Sequence, residues 1–177
     1  MANTATTFTI FRKSVLSVDG LAFSGKHAKN PQKENGILPA YQINMGNTSL
    51  GLLEQTPAGL EPAITGYFEG ISLTKALLHT KNSLSSARSN STFSRGWTFV
   101  YLSTEYKWKV SLMSTKWTLT DVNKQVVASF KRSMWKMMHI GTLTIHVLAD
   151  PELTALIILT CKMVHYTNEL YETTAII

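Results

Sequence analysis

Alternating apolar and polar residues run through the second half of the chain and indicate a series of β-strands. Between residues 97 and 148, aromatic or aliphatic side chains alternate with Lys, Thr or His on consecutive segments. This alternation is typical of antiparallel strands that have one buried face and one exposed face. The sequence therefore predicts an antiparallel meander whose dry side must be covered by another part of the protein.

An apolar helix follows these strands and is the obvious partner for their dry side. Asp150 is a favoured N-cap residue, Pro151 is favoured at the first helical position, and Glu152 suits the positive end of the helix dipole. Residues 153–161 are apolar almost all round the helix, which predicts burial on every side. A sheet that surrounds this one helix would provide that burial.

The first half of the chain predicts further strands, joined by turns and loops that contain Gly and Pro. The predicted strands cover residues 7–11, 15–23 with a hairpin at Asp19-Gly20, 40–45, 49–53 and 63–68. Residues 73–79 fit either a strand or a helical turn. Loops are expected at residues 26–36 and 55–62.

Residues 82–94 form a polar, Ser-rich run with too few apolar side chains to pack against a core. Neither flank of this run is large enough to hold an independent β core. We therefore predict a long Ser-rich loop at residues 82–94, inside a single domain that covers residues 1–177.

Three strand segments and the final helix occur in an order that resembles the tubby C-terminal-like domain superfamily, and its fungal members most closely. The strand segments follow Trp97 and are residues 106–109 (Tyr-Lys-Trp-Lys), 117–121 (Trp-Thr-Leu-Thr-Asp) and 126–130 (Val-Val-Ala-Ser-Phe). A further segment, residues 141–145 (Gly-Thr-Leu-Thr-Ile), and residues 152–160 of the helix extend the match. The superfamily also includes phospholipid scramblases and plant LURP-one-related proteins. The resemblance implies a mainly β fold, a closed antiparallel β-barrel of about twelve strands around a central hydrophobic C-terminal helix.

One turn departs from the pattern of the superfamily. In the turn after residue 120, Lys124 stands where Gly is common in these proteins. Residues 121–124 are nevertheless typical of a turn, and Asn123 is able to take the left-handed backbone conformation.

Positive charge is concentrated in one part of the chain. The 17 Lys and Arg residues exceed the 11 Asp and Glu residues, which gives a formal net charge of +6. Residues 75–136 contain 11 of the cations and two of the acids, Glu105 and Asp121. This asymmetry predicts a positive face for anionic lipid, nucleic acid or an acidic partner, and the alternative is a solvated basic surface.

The basic side chains of consecutive strands should meet on the outside of the sheet. Lateral neighbours on adjacent strands lie about 5 Å apart, so lysines there would form a ladder suited to several phosphate oxygens. The alternative is that these lysines only discourage aggregation. The candidate lipid-binding or anion-binding residues are Lys107, Lys109, Lys116 and Lys131 on strands, and Arg132 and Lys136 in the following connection.

The sequence carries no pattern typical of catalysis or metal binding. Its five histidines lie far apart, and it lacks a Gly-x-Ser-x-Gly elbow, a phosphate-binding Gly-rich loop and an Asp-x-Asp calcium loop. The single cysteine, Cys161, lies on the apolar helix and is expected to be a packed thiol. We expect a non-enzymatic protein without a cofactor.

Two hypotheses for the partner follow. The basic face would bind anionic phospholipid headgroups of the phosphoinositide type, or the Ser-rich insert would dock a protein partner. Nucleic acid is disfavoured because Tyr106, Trp108 and Trp117 alternate to the side opposite the lysines, where they cannot stack on bases. The Met-rich residues 134–138 either cap an open end of the barrel or dip into a membrane interface.

The sequence also bears on location. No basic segment followed by an apolar one opens the chain, and the apolar part of the final helix is shorter than the roughly 20 residues that span a bilayer. We therefore expect an intracellular, cytoplasmic protein with no transmembrane span, peripheral at a membrane if it binds lipid.

Overall fold

The chain forms a closed barrel around a helix. The computed structural model describes residues 5–90, 95–111, 114–134 and 137–174. Within these residues there are twelve strands, a short helix α1 (Pro31–Asn35) and a long helix α2 (Pro151–Thr174). The strands are β1 (Thr6–Arg12), β2 (Gly20–Ser24), β3 (Tyr41–Met45), β4 (Ser49–Thr56), β5 (Gly59–Phe68), β6 (Lys75–Thr80), β7 (Leu84–Ser89), β8 (Trp97–Tyr101), β9 (Thr104–Lys109), β10 (Lys116–Thr120), β11 (Val126–Arg132) and β12 (His139–Ile145).

Each strand pairs with its neighbours in chain order, and β1 pairs antiparallel with β12 to close the barrel. Because neighbouring strands run in opposite directions, the loops alternate between the two ends of the barrel. We call the end where Asp150 precedes α2 the upper end, and the end where α2 finishes the lower end. The β3–β4 and β7–β8 loops lie at the lower end, where Asn47 and Arg95 contact Tyr166 and Asn168 of α2.

Helix α2 fills the interior of the barrel. Leu156, Ile158 and Leu159 are fully buried in one core with inward side chains of the wall such as Phe99 and Phe130. Burying an aliphatic or aromatic side chain of this size contributes about 1.5–3 kcal/mol, so this packing is the main source of stability. The predicted fold class, a mainly β closed barrel around a hydrophobic C-terminal helix, is confirmed.

Two hydrogen bonds between tryptophans of the wall and threonines of α2 fix the position of the helix. The indole N–H of Trp108 donates to Thr160 Oγ1 at 3.0 Å, and that of Trp97 donates to Thr167 Oγ1 at 3.1 Å. The threonines are seven residues apart, so they lie on the same side of the helix. Sliding or rotating α2 would leave two buried indole N–H groups without acceptors.

The start of α2 is as predicted. The carboxylate of Asp150 accepts a hydrogen bond from the Leu153 amide at 2.9 Å, which satisfies one of the free N–H groups of the first turn. Pro151 is the first helical residue.

The predicted Ser-rich loop at residues 82–94 is wrong over the part that forms β7, which pairs with β6 and β8. Ser85 and Ala87 point inward and are buried, and Ser85 Oγ donates to the Val100 carbonyl at 2.5 Å. Small side chains suffice at these inward positions because α2 already fills the space. Low apolar content therefore did not prevent packing. Residues 91–94 lie outside the described residues.

Two other predicted loops are also partly wrong. Between β4 and β5 only residues 57–58 form the turn, and Pro62 lies within β5 opposite Leu53, where a shift of register interrupts the ladder. Proline is tolerated at such a bulge because it has no N–H to donate. In the first predicted loop, Asn30 caps the short helix α1 by accepting a hydrogen bond from the Gln32 amide.

The predicted turn between β10 and β11 is present, and its left-handed residue is the one that stands where Gly is common. Lys124, and not Asn123, takes the left-handed conformation, with φ of 64°. Asp121 holds this turn by accepting a hydrogen bond from the Gln125 amide at 2.9 Å. A register shift follows between Leu119 and Thr120, so Val126 is exposed although Val127 is buried.

Removing the hydroxyl of Thr160 tests how α2 is fixed. Thr160→Val keeps the shape of the side chain but leaves the Trp108 N–H without an acceptor, so we expect a loss of about 1–3 kcal/mol in the free energy of unfolding. The measurement is denaturant unfolding followed by far-UV circular dichroism. The same substitution at the half-buried Thr154 is the control and should cost less than about 0.5 kcal/mol. Equal effects at both positions would contradict this role of Thr160.

Candidate anion-binding surface

Four of the predicted binding lysines point away from the barrel core. Lys107 and Lys109 flank the buried Trp108 on β9, and each is exposed. Lys116 precedes the buried Trp117 on β10, and Lys131 follows the buried Phe130 on β11; both lysines are exposed. The strand period of two thus places every one of these ammonium groups outside, as the sequence predicts.

The register of the strands brings these four lysines together on one surface. Lys116 lies directly opposite Lys131 across the β10–β11 pair. Thr118, two residues along β10, lies opposite Lys109 of β9, and Thr120 lies opposite Lys107. Directly opposed side chains are about 5 Å apart, so the lysines spread over three adjacent strands with only threonines between them.

Two further cations extend this surface and were missed by the sequence analysis. Lys75 of β6 lies opposite Arg88 of β7, and Arg88 lies opposite Thr98, which is itself opposite Lys107. Both side chains are exposed. Small residues alternate with Arg88 in β7, and this alternation indicates a strand that carries Arg88 on its outer face. The outward position of Arg88 was not predicted because this segment was expected to be a loop. We call the whole set the outer basic band: Lys75, Arg88, Lys107, Lys109, Lys116 and Lys131.

Acidic side chains offset little of this charge. Glu105 of β9 lies 3.6 Å from the Arg88 guanidinium, and more than half of each side chain is exposed to solvent. Such an exposed ion pair contributes between about 0 and 1 kcal/mol, so Arg88 can exchange Glu105 for another anion. The described residues of β10 and β11 carry no acid to pair with Lys116 or Lys131.

Arg132 does not belong to this surface, and its predicted place in the connection after β11 is wrong. It is the last residue of β11 and faces the same way as Phe130, inward. Its guanidinium donates two hydrogen bonds of 2.8 Å to the Glu172 carboxylate of α2. This pairing raises the pKa of Arg132 and lowers the pKa of Glu172. Lys136 lies outside the described residues.

A cavity of about 520 Å³ lies at the upper end, beside the start of α2. Two of its carboxylates are already used within the protein. Glu152 accepts hydrogen bonds from Thr80 Oγ1 at 2.9 Å and from the Asn82 amide at 3.1 Å. Asp150 accepts one from the Tyr101 hydroxyl at 3.1 Å, in addition to capping the helix. These contacts give Asp150 and Glu152 structural roles.

Groups associated with catalysis are scarce in the part of the chain that the structure describes. It contains no cluster of three or more His, Cys, Asp or Glu residues that could hold a metal ion. Cys161 is fully buried, as expected for a packed thiol, and this burial raises the pKa of the thiol. Among the same residues, no helix is both long and apolar enough to cross a membrane.

Lys162 is a charged residue inside the barrel. Its side chain is fully buried next to β2, where a Cβ added at Gly20 would lie 3.4 Å from Lys162 Cε. Among the described residues, its ammonium nitrogen has no hydrogen-bond partner. The pKa of Lys162 is lowered to about 8, chiefly by burial; the carboxylates of Glu169 and Asp19 oppose this change, and the charge of Arg12 adds to it.

Comparisons with known proteins identify no relative: no protein-family model, curated protein or solved structure matches the chain. The tubby-like assignment therefore stays a prediction.

The pKa of Lys162 predicts how stability depends on pH. Because the folded pKa is below the unfolded value of 10.5, the unfolded chain binds more protons between pH 8 and 10.5, so stability should rise with pH over this range. The shift corresponds to about 3 kcal/mol. Lys162→Met should therefore unfold at a higher denaturant concentration at pH 7 and should lose most of this pH dependence. A variant that is less stable at pH 7 would show that the ammonium group is favourably bound.

Proposed function

We propose that this protein is non-enzymatic and binds the surface of anionic phospholipid membranes through the outer basic band. The observation that carries the proposal is the register that sets Lys116 opposite Lys131 and Lys75 opposite Arg88 on one continuous outer surface. Several cations at this spacing can contact several headgroup phosphates at once, and each contributes about 1 kcal/mol near an anionic bilayer. Phosphoinositide headgroups, which carry the most charge, are the first class to test.

Exposed apolar residues at the lower end support the same proposal. Leu16 in the β1–β2 loop and Ile71 in the β5–β6 loop are almost fully exposed, and Met134 and Met137 in the β11–β12 loop are also exposed. Lys75, Lys109, Lys116 and Lys131 all lie near the lower ends of their strands. Apolar loop tips beside cations suit the boundary between acyl chains and headgroups. The Met-rich loop would then contact the membrane.

We also propose that the protein belongs to the tubby C-terminal-like superfamily and acts in the cytoplasm as a peripheral membrane protein. The support is that the resemblance implies a closed barrel around a C-terminal helix, and the chain has this architecture. Fold alone does not determine function, so the lipid proposal rests on the outer basic band.

The other partner classes have weaker support. Trp97, Trp108 and Trp117 are buried in the barrel, which removes them as stacking platforms for single-stranded nucleic acid. A protein partner at the Ser-rich segment would meet β7, whose outward Arg88 is part of the outer basic band and whose outward Ser86 lies two residues before it.

Charge reversal of the band tests the proposal. Changing Lys107, Lys109, Lys116 and Lys131 together to Glu should weaken binding to vesicles with phosphatidylserine or a phosphoinositide at least about 100-fold, since about 1 kcal/mol is lost per cation. Binding of the unchanged protein should fall as salt is raised. The measurement is co-sedimentation with anionic and with neutral vesicles at two salt concentrations.

The matched control reverses four exposed lysines in the connections at the upper end, one of which, Lys33, lies on α1. Changing Lys26, Lys33, Lys81 and Lys124 to Glu alters the net charge by the same amount but leaves the outer basic band intact. This variant should bind anionic vesicles within a few-fold of the unchanged protein. Equal losses in both variants, or no binding by the unchanged protein, would reject the proposal and leave the protein-partner hypothesis to be tested by pull-down.

A further inference from the structure

A second concave site, apart from the outer basic band, opens at the lower end of the barrel beside α2. It is a pocket of about 280 Å³. Its walls bring together two guanidinium groups, two imidazoles and one carboxylate. These side chains are Arg12, Arg132, His139, His165 and Glu169.

The two arginines of this pocket are bound to carboxylates of the last turns of α2. Arg12 is paired with Glu169, and Arg132 makes its forked contact with Glu172. A guanidinium fork recognises the paired oxygens of a carboxylate and of a phosphate by the same geometry. Glu172 is close to half exposed, with 46% of its side chain accessible, so it can swing into solvent. The protein's own carboxylates therefore occupy positions that an external anion could take.

His165, which lines this pocket, has a buried nitrogen without a hydrogen-bond partner among the described residues. The His165 side chain is 4% exposed, and within the described residues its Nδ1 forms no hydrogen bond. The nearest carboxylate oxygen, Glu169 Oε2, is 3.4 Å away. Leaving a buried polar atom unpaired costs free energy, which a ligand that pairs with it would recover. In the neutral ring one nitrogen carries a proton and can donate it to an acceptor.

The charge around the pocket favours an anion once Glu172 has moved away. Arg12 and Arg132 then face one carboxylate, that of Glu169. Lys162 lies three residues before His165, on the same side of α2, and adds a positive charge behind the pocket wall. These cations and burial both lower the pKa of His165, with burial the larger cause, so the ring stays neutral at pH 7.

We propose that this pocket binds a phosphate monoester, and that the Glu172 carboxylate stays paired with the Arg132 guanidinium until the phosphate displaces this carboxylate. Arg132 and Arg12 contact the phosphate oxygens, and His165 donates a hydrogen bond to the bound group. The phosphate belongs either to a soluble phosphate ester or to the headgroup of a membrane lipid. The pocket does not depend on the proposed function, because none of its wall residues lies in the outer basic band.

Titration of the full chain with inorganic phosphate tests the site, followed by the amide NMR signals of Arg132, His165 and Glu172. Glu172→Gln weakens the internal competitor, so phosphate should bind about 10-fold more tightly. Arg132→Lys keeps the positive charge but removes the planar guanidinium, which can contact two oxygens at once. This variant should therefore bind phosphate at least about 10-fold more weakly than the unchanged protein. Far-UV circular dichroism checks that each variant is folded.

Glu34→Gln is the matched control, because it removes a carboxylate from the exposed Lys29–Glu34 pair far from the pocket. It should leave phosphate affinity unchanged. The proposal is overturned if Glu172→Gln binds phosphate no more tightly than the unchanged protein. It is also overturned if Glu34→Gln gives the same gain, since the effect would then be one of net charge.

A parallel titration separates the two sources of phosphate and the two sites. If the ligand is a lipid headgroup, Glu172→Gln should also strengthen binding to vesicles that carry a phosphoinositide monophosphate, relative to phosphatidylserine vesicles of equal charge. If it is a soluble ester, only the phosphate titration should respond. The variant with Glu at Lys107, Lys109, Lys116 and Lys131 should bind inorganic phosphate normally, so failure of the outer basic band would not be confused with failure of the pocket.

Discussion

The burial of α2 inside the closed wall is the constraint on which the rest of the structure depends. A helix that is apolar on every side cannot remain in water, and a twelve-stranded wall cannot close around an empty interior without losing its packing. Each therefore needs the other. Because the inward positions are committed to this contact, the alternate positions of β9, β10 and β11 point outward, and the lysines of these three strands occupy such positions. The surface charge is a direct consequence of the core.

The helix changes character along its length, from an apolar first half to a second half that also buries polar and charged side chains. Its first half contacts the wall through Leu156, Ile157 and other aliphatic side chains, whereas its second half buries Lys162, His165 and Asn168. Buried polar and charged groups cost stability unless they are paired. Among the described residues of α2, Lys162 and His165 are therefore the buried groups that lack such pairing near the lower end, close to the ion pairs of Arg12 and Arg132.

Much of the fold could be predicted, because alternation along strands and the uniform apolarity of α2 report directly on burial. Strand β7 could not be predicted, because its inward residues Ser85 and Ala87 are small. A sequence with such small residues resembles a linker when the helix that covers them is unknown. The four outward lysines were predicted correctly from the period of two. The inward position of Arg132 and its contact with Glu172 depend on where β11 ends and on a residue 40 positions away, which local pattern does not encode.

The reactivity of Cys161 tests the central claim, that α2 lies inside the barrel, most directly. The chain has one cysteine, and it is fully buried on α2 between the helix and the wall. A thiol reagent should label Cys161 only when the whole barrel opens. The free energy of opening derived from the labelling rates should therefore equal the free energy of unfolding in denaturant. Labelling in native buffer at the rate of a free thiol, with the circular dichroism spectrum unchanged, would contradict a central helix.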